Sequence, residues 1–137
     1  MTHGSPPPSP RLELVLWATD VPALATFLSR VAGCEIVAQH PGFARLEIDQ
    51  SVVTLHADEA YQGHPWFAAL KREGAARGIG AELRFETADV ELSYRAALAA
   101  GATIVYPPHD QEAVRECQLL GPDGYLVTLW SPGGGQA

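Results

Sequence analysis

A chain of 137 residues is long enough for one domain whose core needs no disulfide or metal staple. With 47% hydrophobic and 18% charged residues, it has the composition of an ordinary globular protein. A formal charge of −7 and a pI of about 5.1 argue against nucleic acid and anionic membrane as partners, while drawing in a cationic ligand weakly.

Two cysteines, Cys34 and Cys117, are too few for a disulfide framework and read as free structural thiols. No apolar run reaches the ~18 residues of a membrane span. The opening "MTHGSPPPSP" lacks the apolar stretch of a signal peptide. These features predict a cytoplasmic protein with Pro/Ser- and Gly-rich tails over 1–10 and 133–137.

Along the chain, "RLELVLWATD" alternates as a strand, with Leu12, Leu14 and Leu16 on one face and Glu13, Val15 and Trp17 on the other. Asp20 is placed to cap a helix on which Leu24, Phe27, Leu28 and Val31 form an apolar stripe, and Gly33 can end it. Three strands are predicted next, "CEIVAQH", "FARLEID" and "SVVTLHAD", separated by turns at Pro41-Gly42 and Asp49-Gln50. The stretch 59–79 reads as a linker in which "WFAALKREGAARG" is helical until Gly78 and Gly80 loosen the chain. "GAELRFETAD" is then a strand ending at the cap Asp89. A helix follows with Val90, Tyr94, Ala97 and Leu98 on its apolar face and Gly101 as its stop. "TIVYPP", broken by Pro107-Pro108, "AVRECQLL" and "YLVTLWSP" complete the chain, with "GPDG" at 121–124 as a turn.

The order strand, helix, three strands therefore occurs twice, in module one (11–58) and module two (80–132). The register matches as well. Glu13 precedes the cap Asp20 by seven residues, and Glu82 precedes Asp89 by seven. Val-Thr-Leu closes each unit, around Thr54 and Thr128.

A duplicated βαβββ unit ending in a "GPDGYLVTLWSP"-type turn and strand resembles the vicinal oxygen chelate superfamily. That group includes glyoxalase I, extradiol dioxygenases and bleomycin-resistance-type proteins. The resemblance covers residues 11–132. It implies an α+β fold in which two modules form a curled eight-stranded sheet around a cavity, and a homodimer. Metal-dependent members carry His or Gln, Glu, His and Glu on the first and last strands of the two units. The matching positions here are Glu13, Thr54, Glu82 and Thr128. The histidines are missing and both last-strand acids are threonine, a poor ligand for Zn, Fe or Ni. If a metal binds, the set to hold it is Glu13, His56 and Glu82, a two-carboxylate, one-histidine composition.

Strand parity predicts the face that lines the cavity. The first and fourth strands contribute Glu13, Val15, Trp17, Val52, Thr54 and His56. The fifth and eighth contribute Glu82, Arg84, Glu86, Leu126, Thr128 and Trp130. The opposite parity, Leu12, Leu14, Leu16, Val53, Leu55, Leu83, Phe85, Val127 and Leu129, is apolar enough to lie beneath the helices. Indoles with sparse polar groups suit a planar or amphipathic small molecule. The expected ligand-binding residues are Glu13, Trp17, Thr54, His56, Glu82, Arg84, Thr128 and Trp130, with Trp66 and Phe67 of the linker as a lid. Each Trp could instead serve core or dimer packing.

The sequence thus points to a non-catalytic homodimer, without cofactor or catalytic residues. It would sequester an aromatic drug or antibiotic, a cationic one included, like the metal-free bleomycin-resistance branch. The alternative is a metal-dependent glyoxalase- or dioxygenase-like enzyme acting on a small oxygenated substrate. A third reading, a metal-free acid–base enzyme, needs Glu13 and Glu82 close enough to perturb each other.

Overall fold

The computed structural model describes residues 12–72 and 77–132. The expected tails, and residues 73–76 of the linker, lie outside the described residues. The strand β1 (Leu14–Ala18), helix α1 (Val21–Ala32) and strands β2 (Glu35–His40), β3 (Phe43–Ile48) and β4 (Ser51–Ala57) form the first module. A 3-10 turn (Asp58–Tyr61) and a one-turn helix α2 (Phe67–Leu70) connect it to the second. There β5 (Leu83–Glu86), α3 (Val90–Ala99), β6 (Thr103–Gln111), β7 (Val114–Leu120) and β8 (Leu126–Pro132) repeat the order.

Each module is a four-stranded sheet of the same topology, β1-β4-β3-β2 and β5-β8-β7-β6. The first strand of each runs parallel to the last, Leu14 opposite Val53 and Leu83 opposite Val127. The eight-stranded α+β architecture is thus the one expected, but the single curled sheet around a cavity is not. The two sheets are separate and neither closed nor strongly curled. The reason lies in the edges. Among the described residues β1 and β5 each pair on one side only, so no backbone ladder joins the modules there, and helix packing and side chains join them instead.

Both helices start where the sequence predicts. Asp20 accepts from the Ala23 N–H at 3.0 Å and Asp89 from the Leu92 N–H at 3.1 Å, each satisfying a donor that has no partner within its helix. Gly33 ends α1 in the left-handed region, with φ of 79°. The α1 stripe of Leu24, Phe27, Leu28 and Val31 is fully buried, a contribution of roughly 1.5–3 kcal/mol for each large side chain. α1 lies on its own sheet and against α3, so one apolar core runs through both modules. At Gly121 a Cβ would meet the Phe27 ring at 2.7 Å, so the β7–β8 turn can approach α1 only with glycine there.

The parity assignment largely holds. Leu16, Val53, Leu55, Phe85, Val127 and Leu129 are buried under the helices. Leu12 and Leu14 are not; they are 83% and 38% exposed, because they stand at the unpaired edge of the first sheet beside an opening that Leu83 and Phe85 also line. Three further expectations are corrected. α3 turns Ala97 rather than Leu98 inward, leaving Leu98 48% exposed. β6 continues through Pro107-Pro108 to Gln111, because an edge strand tolerates missing N–H groups and its pairing shifts register between Tyr106 and His109. The linker helix is limited to Phe67–Leu70 among the described residues, and Gly78 and Gly80 take positive φ.

Candidate functional site

On the sheet faces turned away from the helices, the two modules repeat one side-chain pairing. Thr54 donates to Glu13 Oε2 at 3.0 Å, and Thr128 donates to Glu82 Oε2 at 2.5 Å. Parallel β1–β4 and β5–β8 pairing holds each glutamate beside its threonine, and both threonines are buried. Glu82 gathers two more donors, Arg84 Nη1 at 3.2 Å and Gln118 Nε2 at 3.4 Å. The Thr128 hydrogen bond, aided by Arg84 and Gln118, holds the Glu82 carboxyl below the usual range despite partial burial. Arg84 also reaches Glu116 at 3.5 Å and lies 6.0 Å from the centre of the Trp130 ring.

Around the end of β1, rings collect. Trp17 stacks on Tyr61 with centroids 3.5 Å apart and planes 10° from parallel. The edge contact with His64 is at 5.0 Å, and Trp66 lies tilted at 6.3 Å. The Tyr61 hydroxyl and His56 Nδ1 share a hydrogen bond of 2.8 Å, and Phe43 lies 5.6 Å from the His56 ring. The linker thus folds back on module one, and one face of Trp17 is occupied by Tyr61. Trp66 itself is 68% exposed.

A buried ion pair fixes that linker. Arg77 meets Asp58 through Nη1–Oδ1 at 2.8 Å and Nη2–Oδ2 at 2.6 Å, with both side chains nearly inaccessible. The same Arg77 Nη1 and the Tyr125 hydroxyl both donate to the Trp17 carbonyl, at 2.9 and 2.6 Å. The hydrogen bonds from Arg77 hold the Asp58 carboxyl below its usual range, and Asp58 raises Arg77 in return.

Sequence reasoning missed Tyr61, Arg77, Gln118 and Glu116. Parity on β7 could have found Gln118, which stands opposite Thr128 and donates to it at 3.1 Å. Nothing in the linker's composition marks Tyr61 or Arg77.

The four positions that hold metal in the resembling enzymes carry two carboxylates and two hydroxyls here. Both hydroxyl protons are already committed to the carboxylates, so this set does not fit a catalytic transition metal. The structure does not assemble the alternative trio Glu13, His56 and Glu82. Among the described residues, no three His, Cys, Asp or Glu side chains form a group able to hold a metal ion.

Two βαβββ modules with this strand order, helices together and opposite faces open, define the glyoxalase/bleomycin resistance/dioxygenase fold. A family enzyme of that description from Burkholderia phytofirmans PsJN has a similar structure, with a TM-score of 0.71 at 21% identity over 88% of this chain and 96% of its own. Similar too are a glyoxalase/bleomycin resistance protein/dioxygenase from Nocardioides (TM-score 0.66, 22% identity, 98% and 88% covered) and TioX from Micromonospora sp. ML1 (0.65, 21%, 90% and 99%). No family model and no curated protein matches the sequence. Among the described residues no helix is long and apolar enough to cross a membrane.

Proposed function

We propose that the protein binds an aromatic, cationic small molecule on its open sheet faces and releases it unchanged, a sequestering role of the kind that protects against a drug or antibiotic. The observation that carries this reading is the Thr54–Glu13 and Thr128–Glu82 pairing. Proteins with this fold bear the names of both resistance proteins and dioxygenases, so the fold does not choose between binding and catalysis. The side chains favour binding. Each carboxylate is hydrogen-bonded to its own threonine, and the Glu82 carboxyl is held below its usual range, which suits a group that anchors a ligand rather than one that holds a metal.

In this reading Trp130, Arg84 and Glu82 form one contact surface, and Trp17, His56 and Glu13 form the other, beside their threonines. Trp66 stands at the margin of the second, where it can close over a ligand. The protein acts as a homodimer in the cytoplasm, with its acidic charge favouring cationic ligands.

Titrating the protein with ethidium and with an anthracycline tests the reading. Quenching of Trp fluorescence and a matching calorimetric heat at micromolar concentration support it; unchanged fluorescence with no heat would reject it. Incubation with Zn, Ni and Fe followed by elemental analysis supplies the second arm. Retention of less than about a tenth of an equivalent supports binding without metal, and stoichiometric retention overturns it. Light scattering after size exclusion checks the dimer.

A further inference from the structure

The internal duplication lets the two halves of the seam between modules be compared position by position. Leu14 and Leu83 are equivalent, as are Val53 and Val127, since each pair occupies the same place in the β1–β4 and β5–β8 registers. The same offsets make Thr19 equivalent to Ala88, Asp49 to Asp123, and Ser51 to Tyr125. Asp49 and Asp123 both take left-handed backbone, with φ of 52° and 63°, which supports the correspondence.

One half of the seam is bridged by side chains, with an opening of about 390 Å³ beside the bridge lined by Arg77, Gly78, Asp123 and Leu126. Asp123 accepts from the Thr19 N–H at 3.0 Å and from its hydroxyl at 2.9 Å. The Tyr125 ring is 7% exposed and fills the space next to Gly78, with its hydroxyl on the Trp17 carbonyl. The other half has neither device. Ala88 offers no hydroxyl to Asp49, and Ser51 has no ring. In that half a cavity of about 460 Å³ opens, within the size range of small-molecule sites. Its walls are the apolar side chains of Leu12, Leu14, Ile48, Val53, Leu83 and Phe85. Ser51, Glu82 and Arg84 supply polar groups to the same lining.

We propose that this open half-seam is a second binding site, for a small planar aromatic molecule with a hydrogen-bonding substituent. Its ring takes the place that Tyr125 takes in the bridged half, and its polar group turns toward Ser51, Glu82 and Arg84. The site shares Glu82 and Arg84 with the open-face surface proposed above but neither of its indoles, since Trp17 and Trp130 do not line it, so probe contacts with the Leu14, Val53 and Leu83 methyls distinguish the two.

Methyl-labelled protein titrated with 4-fluorophenol tests the proposal by NMR. Saturable shifts of the Leu14, Val53 and Leu83 methyls, with intermolecular NOEs from the probe ring to them, are expected. Ser51→Tyr builds the missing ring from the chain itself and should weaken the probe at least about tenfold. Leu14→Trp plugs the cavity from the opposite wall and should do the same. Circular dichroism identifies the variants that fold, and the NOEs in the unaltered protein decide the matter if neither does. Shifts confined to the Trp17 and Trp130 indoles, absence of shifts up to the probe's solubility, or undiminished affinity in a folded plugged variant would each overturn the proposal. So would cavity methyls that shift on protein dilution without probe, which would assign the cavity to a second copy of the chain.

Discussion

The hydroxyl of Thr128, on β8, stands 2.5 Å from Oε2 of Glu82, the residue just ahead of the parallel strand β5 and 46 residues away in the chain. Replacing it with valine keeps the shape and removes the donor. Thr128→Val should cost about 1 kcal/mol in urea unfolding and raise the Glu82 carboxyl toward its ordinary range. The sign follows from linkage. A depressed carboxyl contributes stability that is present above its unfolded value and lost as pH falls through its folded value. The variant should therefore lose less of its stability between neutral and acid pH than the parent does. Carboxyl carbon NMR on labelled glutamate checks the titration directly.

The Asp58–Arg77 pair is buried at both ends, so its two partners are not equivalent to a surface salt bridge. Arg77→Met leaves an uncompensated buried carboxylate and should cost about 3–5 kcal/mol. Asp58→Leu in the same chain should restore a large part of that loss. Denaturant midpoints of the parent, the single and the double variant measure the difference. The parent should also weaken in acid as pH falls through the depressed value of Asp58, and the double variant should not show that component.

Trp17 and Trp130 hold equivalent faces but different surroundings. Trp17 is stacked on Tyr61, and its backbone carbonyl anchors Arg77 and Tyr125; Trp130 is half-buried beside Arg84. Trp17→Ala should cost about 2 kcal/mol or more, and Trp130→Ala about half as much. Both should weaken an aromatic ligand. Thermal unfolding read beside a ligand titration separates the two effects, and a Trp130→Ala variant that keeps full affinity would remove that residue from the site.

Burial pushes both thiols up, Cys34 and Cys117 each to about 11. Few thiolates exist at neutral pH, and the sulfurs are inaccessible. A disulfide reagent should therefore modify neither cysteine in the folded protein on the timescale in which it modifies both in urea. Stopped-flow absorbance provides the comparison.

Much of the fold is legible in the chain's local pattern. Asp20 and Asp89 cap helices because their sequence context calls for a side-chain acceptor. Period-two alternation put Leu55 and Leu129 inward and Thr54 and Thr128 outward of the helix layer, and a one-residue slip would have reversed both. Leu98 and the Pro107-Pro108 stretch were misread because helix orientation and edge position, not local preference, settle them.

The site divides in the same way. Local sequence could nominate Glu13, Thr54, Glu82 and Thr128, because duplication and strand parity are properties of the chain itself. It could not bring Tyr61 onto Trp17, join Asp58 to Arg77, or leave one half of the seam unbridged. Those contacts link segments whose separation along the chain carries no periodic signal, and only the packing of one module on the other decides them.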